Sequence, residues 1–325
     1  MSMTSHNLTS RLIGRSLVQT RALLLASLAP LAFACAAEEP AADNVRDVRA
    51  TLPPEVDGYR NIVGGEYVIQ PGEDKMICFH LTWKDPTIAV SSVQQLQGKF
   101  GHHSIIVTTK EPKPDGTVED CTEQKDMYKY GAFLIPVDEL PAGHGIELPQ
   151  GMKIVLQSHY VNYGDQAILT RDAVRIRTMP TADVKTWVAS LATNSTDFSV
   201  PAKSVGNETF DCTLDEDVEL LLFGGHMHED GKSFEGLMGP DVKSLKSLQR
   251  VDEWKEEYRD SPPVMLALKA PVPLKKGTVL RTICEWNNKA DHVLAFPEEM
   301  CASFGYIAGT KKAYDCRKDK GKVTW

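Results

Sequence analysis

The amino-acid sequence predicts an all-β fold of the sandwich or barrel class. Short apolar or alternating runs recur along the chain, and Gly, Pro, Asp and Asn separate them, as expected for strands joined by turns. Few windows keep the i, i+3, i+4, i+7 spacing of apolar residues long enough to form a helix. The main predicted strands span 76–83, 88–96, 103–109, 152–161, 173–179, 218–223, 263–270 and 278–286.

The N-terminus has the pattern of a targeting segment. Arg11, Arg15 and Arg21 precede the apolar stretch 22–34, which ends in small residues before Cys35. This stretch is short for a membrane span. Two alternatives fit its end: LAFAC resembles a bacterial lipoprotein cleavage site at which Cys35 is lipidated, and AFA fits ordinary signal peptidase. Both predict an exported protein, either periplasmic or secreted, with a membrane contact only through a lipid on Cys35.

A tether and two halves follow the predicted leader at 1–35. Residues 36–55 are mostly small, charged and weakly apolar, which predicts a flexible tether. A break at residues 179–181 divides the remaining chain into two halves of similar size, 56–180 and 181–325, and no clear sequence repeat relates them. The length of 325 residues also favours about two domains.

Charge and cysteines restrict the class of protein. The formal net charge is -8 and no basic cluster with interleaved aromatic residues is present, which argues against a nucleic-acid partner. Six cysteines follow Cys35, and an even number in an exported chain predicts three disulfides. None of them forms a CxxC pair, which argues against a thiolate zinc site or a redox dithiol. The spacing leaves the connectivity open.

Two histidines one residue apart indicate a metal site in the second half. His226 and His228 follow the apolar run 218–223, and residues i and i+2 of a strand point to the same face. The two imidazoles would therefore project side by side and could bind one ion. The alternative is a pair of partly exposed histidines at a strand end.

A second group of histidines lies in the first half. The adjacent His102 and His103 would point to opposite faces of a regular strand, and they could share an ion only if the strand is bulged, as Gly101 would allow. One histidine pointing inward and one outward is the alternative. In the predicted strand 152–161, Gln157 and His159 share a face, and this pair is more typical of a site than of a core.

The order of these motifs resembles a known family. The chain carries HH, then LQxHY, then HxH followed by a short Gly-Lys segment, then EEMC, between about residues 65 and 317. This order resembles the copper type II, ascorbate-dependent monooxygenases, which include peptidylglycine α-hydroxylating monooxygenase and dopamine β-monooxygenase. The resemblance implies two tandem antiparallel β-sandwich (jelly-roll-like) domains that hold one copper ion each.

The resemblance also implies a ligand set and a disulfide pairing. The electron-transfer copper would be bound by His102, His103 and His159, with Gln157 matching a glutamine at that cofactor site. The catalytic, oxygen-binding copper would be bound by His226, His228 and Met300. A thioether favours Cu(I), although packing in the core is the commoner role of methionine. The implied disulfides are Cys78–Cys121, Cys212–Cys316 and Cys284–Cys301, which leaves Cys35 for a lipid.

The function implied is that of an exported, lipoprotein-type dicopper monooxygenase. It would hydroxylate a C–H bond of a small-molecule substrate with O2 and an external reductant such as ascorbate. The polar residues that bind peptide substrates in the family are replaced here by Gly224, Ala302 and Phe304. Gly224 and Ala302 would leave room for a less polar substrate, or Gly224 and Phe304 only pack in the core. The alternatives are a non-catalytic periplasmic copper-binding protein and an envelope structural or adhesion protein.

Overall fold

The computed structural model describes residues 45–56, 58–122, 129–318 and 321–324, the last range for its backbone only. Within these ranges the chain contains strands and two short 3-10 turns, Thr181–Asp183 and Glu256–Arg259, and no α-helix. The predicted all-β class is therefore confirmed. No helix in the described ranges is long and apolar enough to cross a membrane. The predicted leader, its Cys35, and residues 36–44 of the predicted tether lie outside the described residues.

The strands of the first half are β1 (Val45–Asp47), β2 (Tyr59–Val63), β3 (Tyr67–Ile69), β4 (Asp74–Thr82), β5 (Ile88–Leu96), β6 (Gly101–Thr109), β7 (Val118–Asp120), β8 (Tyr130–Leu134), β9 (His144–Leu148), β10 (Lys153–Val161), β11 (Ala167–Thr170) and β12 (Ala173–Met179). Those of the second half are β13 (Thr186–Ser195), β14 (Ser199–Val200), β15 (Val205–Thr213), β16 (Val218–His226), β17 (Gly231–Gly239), β18 (Lys246–Val251), β19 (Val264–Leu266), β20 (Val272–Leu274), β21 (Val279–Asn287), β22 (Leu294–Ala295), β23 (Cys301–Ala308), β24 (Tyr314–Arg317) and β25 (Gly321–Thr324).

The first half is a β-sandwich. Its outer sheet has the order β7-β4-β10-β6-β8, and it packs on the part of a long sheet that has the order β9-β5-β12-β2. Ile106 and Leu156 of the outer sheet share one apolar core with Val90 and Ile176 of the long sheet. The central strand β10 is buried along almost its whole length, because the side chains on both of its faces belong to apolar clusters.

The second half repeats this arrangement with different strands. Its outer sheet has the order β15-β21-β17-β18 and packs on the other part of the long sheet, ordered β19-β16-β23-β13. Phe234 and Trp286 of the outer sheet share a core with Leu220 and Ile307. The long sheet is continuous because β9 and β13 pair in parallel. The predicted boundary between the halves falls at the 3-10 turn Thr181–Asp183.

Two details differ from the sequence-based expectations. Val45–Asp47, inside the segment predicted as a flexible tether (36–55), forms β1 and pairs in parallel with β11. The strand predicted at 263–270 is limited to Val264–Leu266, because the chain turns where the N–H of Ala270 donates to the carbonyl oxygen of Ala267. The alternating apolar residues there do not extend the pairing of this strand with β16 beyond Leu266.

Three disulfides have the pairing that the resemblance implied, namely Cys78–Cys121, Cys212–Cys316 and Cys284–Cys301. The two in the second half each join the outer sheet to the long sheet, since Cys212 and Cys284 lie on β15 and β21 while Cys316 and Cys301 lie on β24 and β23. They therefore hold together the two layers of the second sandwich.

Candidate metal centre

A β-bulge brings the three histidines of the first half together. His103 lies opposite His159 in the β6–β10 pair, and the next partner of β10, Tyr160, lies opposite Gly101. His102 is therefore the extra residue of a bulge and is not turned to the opposite face. The ring centroid of His159 lies 5.0 Å from that of His102 and 5.1 Å from that of His103.

The three imidazoles converge on a carboxylate from the second half. Asp260 Oδ1 lies 3.2 Å from His103 Nδ1 and 3.0 Å from His159 Nδ1, and Asp260 Oδ2 contacts His102 Nδ1. Asp260 directly follows the 3-10 turn Glu256–Arg259. Potential ligand atoms of His102, His159 and Asp260 all lie within 4.8 Å of one another, an arrangement that could bind a metal ion. Sequence reasoning did not single out Asp260.

Further charges surround this first cluster. His159 Nε2 donates to Asp74 Oδ1 at 2.6 Å. Arg259 donates to Asp74 Oδ2 at 3.2 Å and contacts Glu229, the residue after His228. The turn is thus tied to the first half by Asp74 and to the second half by Glu229.

Electrostatics in the first cluster follow from these contacts. Burial alone would raise the pKa of the Asp260 carboxyl, but hydrogen bonds from the three histidines hold that pKa well below its usual range. Burial would lower the pKa of His159, yet its bonds to Asp260 and Asp74 raise it overall. Burial dominates at His103 and lowers its pKa. The cluster therefore combines an ionised carboxylate with imidazoles of different basicity.

The HxH pair forms a second cluster at the end of β16. The ring centroids of His226 and His228 are 5.3 Å apart, while Met227 between them is fully buried, as strand alternation predicts. The Nδ1–H of His228 donates to the carbonyl oxygen of Glu298 at 2.9 Å, which leaves Nε2 free to bind a metal.

Both histidines of the second cluster are kept neutral. Burial lowers the pKa of His228 and holds that of His226 well below its ordinary value. A proton on His228 or on His103 would repel one on His226, which lowers the pKa of His226 further. A neutral imidazole can bind a metal without first losing a proton.

Glu299 connects the HxH pair to the segment of Met300. Its buried carboxylate accepts hydrogen bonds from the backbone N–H of His228 and Asp230, each at 2.8 Å, and of Met300 at 3.1 Å. It also accepts one from Trp286 Nε1 at 2.9 Å. Burial raises the pKa of Glu299 to about 7, against the opposing effect of these four donors. The sequence analysis missed this residue, although it adjoins the predicted ligand.

Met300 directly precedes β23, and its side chain is half-buried. In the β16–β23 pair, His226 lies opposite Ala302. The end of β16 that carries His226 is therefore next to the end of β23 that Met300 precedes. The role of Met300 as a ligand stays a prediction. Gln157 lies beside the first cluster in sequence, but its amide nitrogen is placed 3.6 Å from Cys78 Sγ. That contact supports a structural role for Gln157, and binding of a cofactor stays a prediction.

The space next to Gly224 is filled. Gly224 lies opposite Phe304, and a Cβ added to Gly224 would be 2.7 Å from Cζ of that ring. Gly224 itself therefore leaves no room for a substrate, which fits the packing alternative, and a less polar substrate beside Ala302 stays a prediction.

Comparisons with known proteins leave the family open. No protein-family model matches the chain, and no curated protein matches it. Among solved structures, the STIV MCP is 9% identical over 77% of this chain and 96% of its own, with a TM-score of 0.29. The infectious bursal disease virus VP2 subviral particle is 9% identical over 81% and 75%, with a TM-score of 0.21. TM-scores this low carry no argument about this chain.

Proposed function

We propose that the chain is an exported, copper-dependent monooxygenase with two copper sites. It would hydroxylate a C–H bond of a small organic substrate with O2 and an external reductant such as ascorbate. One observation carries the proposal: the rings of His102 and His103 lie beside that of His159, and the rings of the HxH pair lie beside each other, as the resemblance implied for both sets. Fold alone would not support it, because function depends on the site.

The donor atoms in both clusters fit copper. Imidazole nitrogen binds copper in both oxidation states, and the thioether of Met300 would favour Cu(I) at the second cluster. Copper, when bound, would supply the one-electron redox chemistry and the reactivity toward O2 that these side chains lack. The carbonyl oxygen of Glu298 orients His228, and Glu299 fixes the backbone on both sides of the second cluster.

A copper-binding protein without catalysis is the second candidate function. The packing of Phe304 on Gly224 favours it, because this ring occupies space where a substrate was expected beside the HxH strand. The two candidates differ in whether the consumption of O2 is coupled to a product.

Coupling can be measured directly. Copper-loaded protein would receive ascorbate, O2 and a panel of small apolar substrates, with O2 uptake and hydroxylated product recorded together. We expect product to match O2 consumed, to vanish in His226→Ala and to persist in His144→Ala, a histidine outside both clusters. Copper binding with only slow, uncoupled oxidation of ascorbate would establish the second candidate instead.

Export and the lipid anchor belong to the same proposal. Three disulfides are compatible with an exported protein. Expression in a bacterial host should yield a processed chain, and its intact mass should show a lipidated Cys35 at the new N-terminus. A processed chain without lipid would support the ordinary signal-peptidase alternative.

A further inference from the structure

We propose that Asp260 is a fourth ligand of the first metal site, so that both halves of the chain build this site. The inference rests on the proposed function, because it assumes that the three-histidine cluster binds a metal ion. It adds a carboxylate from the second half to a ligand set that the sequence placed wholly in the first half.

The hydrogen bonds of His159 identify which ring nitrogen faces the metal. Its Nε2 donates to Asp74 at 2.6 Å, and a ligating histidine commonly donates its other ring N–H to a carboxylate in this way. The ligating atom is then Nδ1, which lies 3.0 Å from Asp260 Oδ1. The Nδ1 atoms of His102 and His103 face the same carboxylate.

Contacts of the preceding turn also hold Asp260 in place, and one group of that turn, the Arg259 guanidinium, lies 3.4 Å from His159 Nε2. Its neighbour Arg259 is paired with Asp74 on β4 and with Glu229 after the HxH pair. Earlier in the same segment, Trp254 donates from Nε1 to the carbonyl oxygen of His228 at 2.9 Å and packs edge-on against Tyr258. The carboxylate is therefore positioned by the turn itself, and it need not move far to exchange three N–H donors for one cation.

A carboxylate ligand should change both the metal preference and the reduction potential of the first site. An oxygen donor with a full negative charge favours Cu(II) and Zn(II) over Cu(I), whereas imidazoles alone discriminate less. Removing the charge should weaken the binding of divalent ions at the first site and raise the reduction potential of a copper ion bound there. Asp74, which reaches His159 through Nε2, should orient that ring without ligating.

The test uses full-length protein with the second cluster removed by His226→Ala and His228→Ala. In this background, affinities for Zn(II) and Cu(II) are measured by competition with a chelator, and the Cu(II) paramagnetic resonance spectrum is recorded. Asp260→Asn should weaken both affinities by about 10-fold to 100-fold and change the hyperfine splitting. Asp74→Asn should weaken them less and leave the spectrum unchanged, and Asp252→Asn, an exposed carboxylate in the same region, should change neither.

An unchanged spectrum and affinity in Asp260→Asn would overturn this inference while leaving a copper-binding three-histidine site intact. If Asp260→Asn unfolds, Asp260→Glu provides the second variant: it should still bind Zn(II) and shift the Cu(II) spectrum, and a spectrum identical to that of the parent would contradict ligation. Zn(II) is redox-silent, so its affinity reports on Asp260 independently of catalysis. A strong dependence of that affinity on Asp260, together with no coupled O2 chemistry in the copper-loaded unaltered protein, would support this inference and defeat the proposed function.

Discussion

The two histidine clusters differ in how they are held, and within the described part of the chain only the first has a hydrogen-bond partner from the other half, Asp260. The first is rich in charge: each ring contacts Asp260, and His159 is also bound to Asp74. The second is made of neutral imidazoles, oriented by a carbonyl oxygen and by the backbone contacts of Glu299. The first arrangement suits a cation held firmly through changes of oxidation state. The second suits a soft, reduced ion that keeps an open position for O2.

The largest effect is expected when ligands of the second cluster are removed and the first cluster is left intact. His226→Ala with His228→Ala should abolish turnover and remove about one copper per chain, since the variant lacks two of the three ligands predicted for that site. Met300→Ile should also abolish turnover but leave the first copper bound. Elemental mass spectrometry of the desalted variants measures the bound copper, and product formation measures turnover. Turnover unchanged in Met300→Ile would remove Met300 from the site.

Loosening the support of the second cluster should have the next largest effect. Glu299→Gln places an amide N–H against N–H donors and should cost about 1–3 kcal/mol of unfolding free energy, because the side chain is 1% exposed. Copper affinity should fall about 10-fold to 100-fold at the second cluster and remain unchanged at the first. Urea unfolding and site-resolved copper titration provide the two readouts. An equal loss of copper affinity at both clusters would contradict the expectation that Glu299 supports only the second cluster.

Acidification should release metal from the first cluster before the second. The pKa of His159 is raised, so a proton competes with a metal there already above pH 6.5, the ordinary value for histidine. The pKa values of His226 and His228 are lowered, so protons compete at that cluster only below this pH. Once the pH falls below the raised pKa of His159, affinity at the first cluster should fall about tenfold per pH unit. Dialysis at stepped pH, with His159→Ala as the one-site reference, decides the order of release.

The smallest effect on metal binding should come from the Cys284–Cys301 disulfide. Its removal by paired substitution with Ala should destabilise the second sandwich by about 2–4 kcal/mol, since the bridge joins its two layers. Copper affinity at the second cluster should weaken less than tenfold, because Glu299 still holds the segment of Met300. Reduction of all disulfides should unfold the second half before the first. Mass mapping that links Cys284 to a different cysteine would undo this expectation.

Local patterns in the sequence predicted the all-β fold and the pairing of His226 with His228, whereas the grouping of His159 with His102 and His103 came from the resemblance. Strand periodicity placed His226 and His228 on one side, and Gly101 allowed the bulge at His102, although one histidine pointing inward and one outward also fitted the sequence. The disulfides followed from the resemblance, because spacing alone left their connectivity open. These features depend on a few neighbouring residues or on a known pattern, which is why the sequence carries them.

The residues that sequence reasoning missed act over long separations. Asp260 lies in a charged segment without periodicity, 157 residues from His103, and nothing local distinguishes it from a solvated loop residue. Glu299 belongs to the acidic pair before Met300, and the four N–H donors that allow its burial come from three separate segments of the chain. The packing of Phe304 on Gly224 likewise depends on strand pairing that the sequence does not reveal.

The central claim is that the two clusters are two separate copper sites. Its most direct test is the copper content of the folded chain, measured by elemental mass spectrometry after copper loading and desalting, for the unaltered protein and for His159→Ala. The account predicts about two coppers per chain for the unaltered protein and about one for the variant, one ion for each set of histidine ligands. No bound copper in the unaltered protein, or two in the variant, would contradict it.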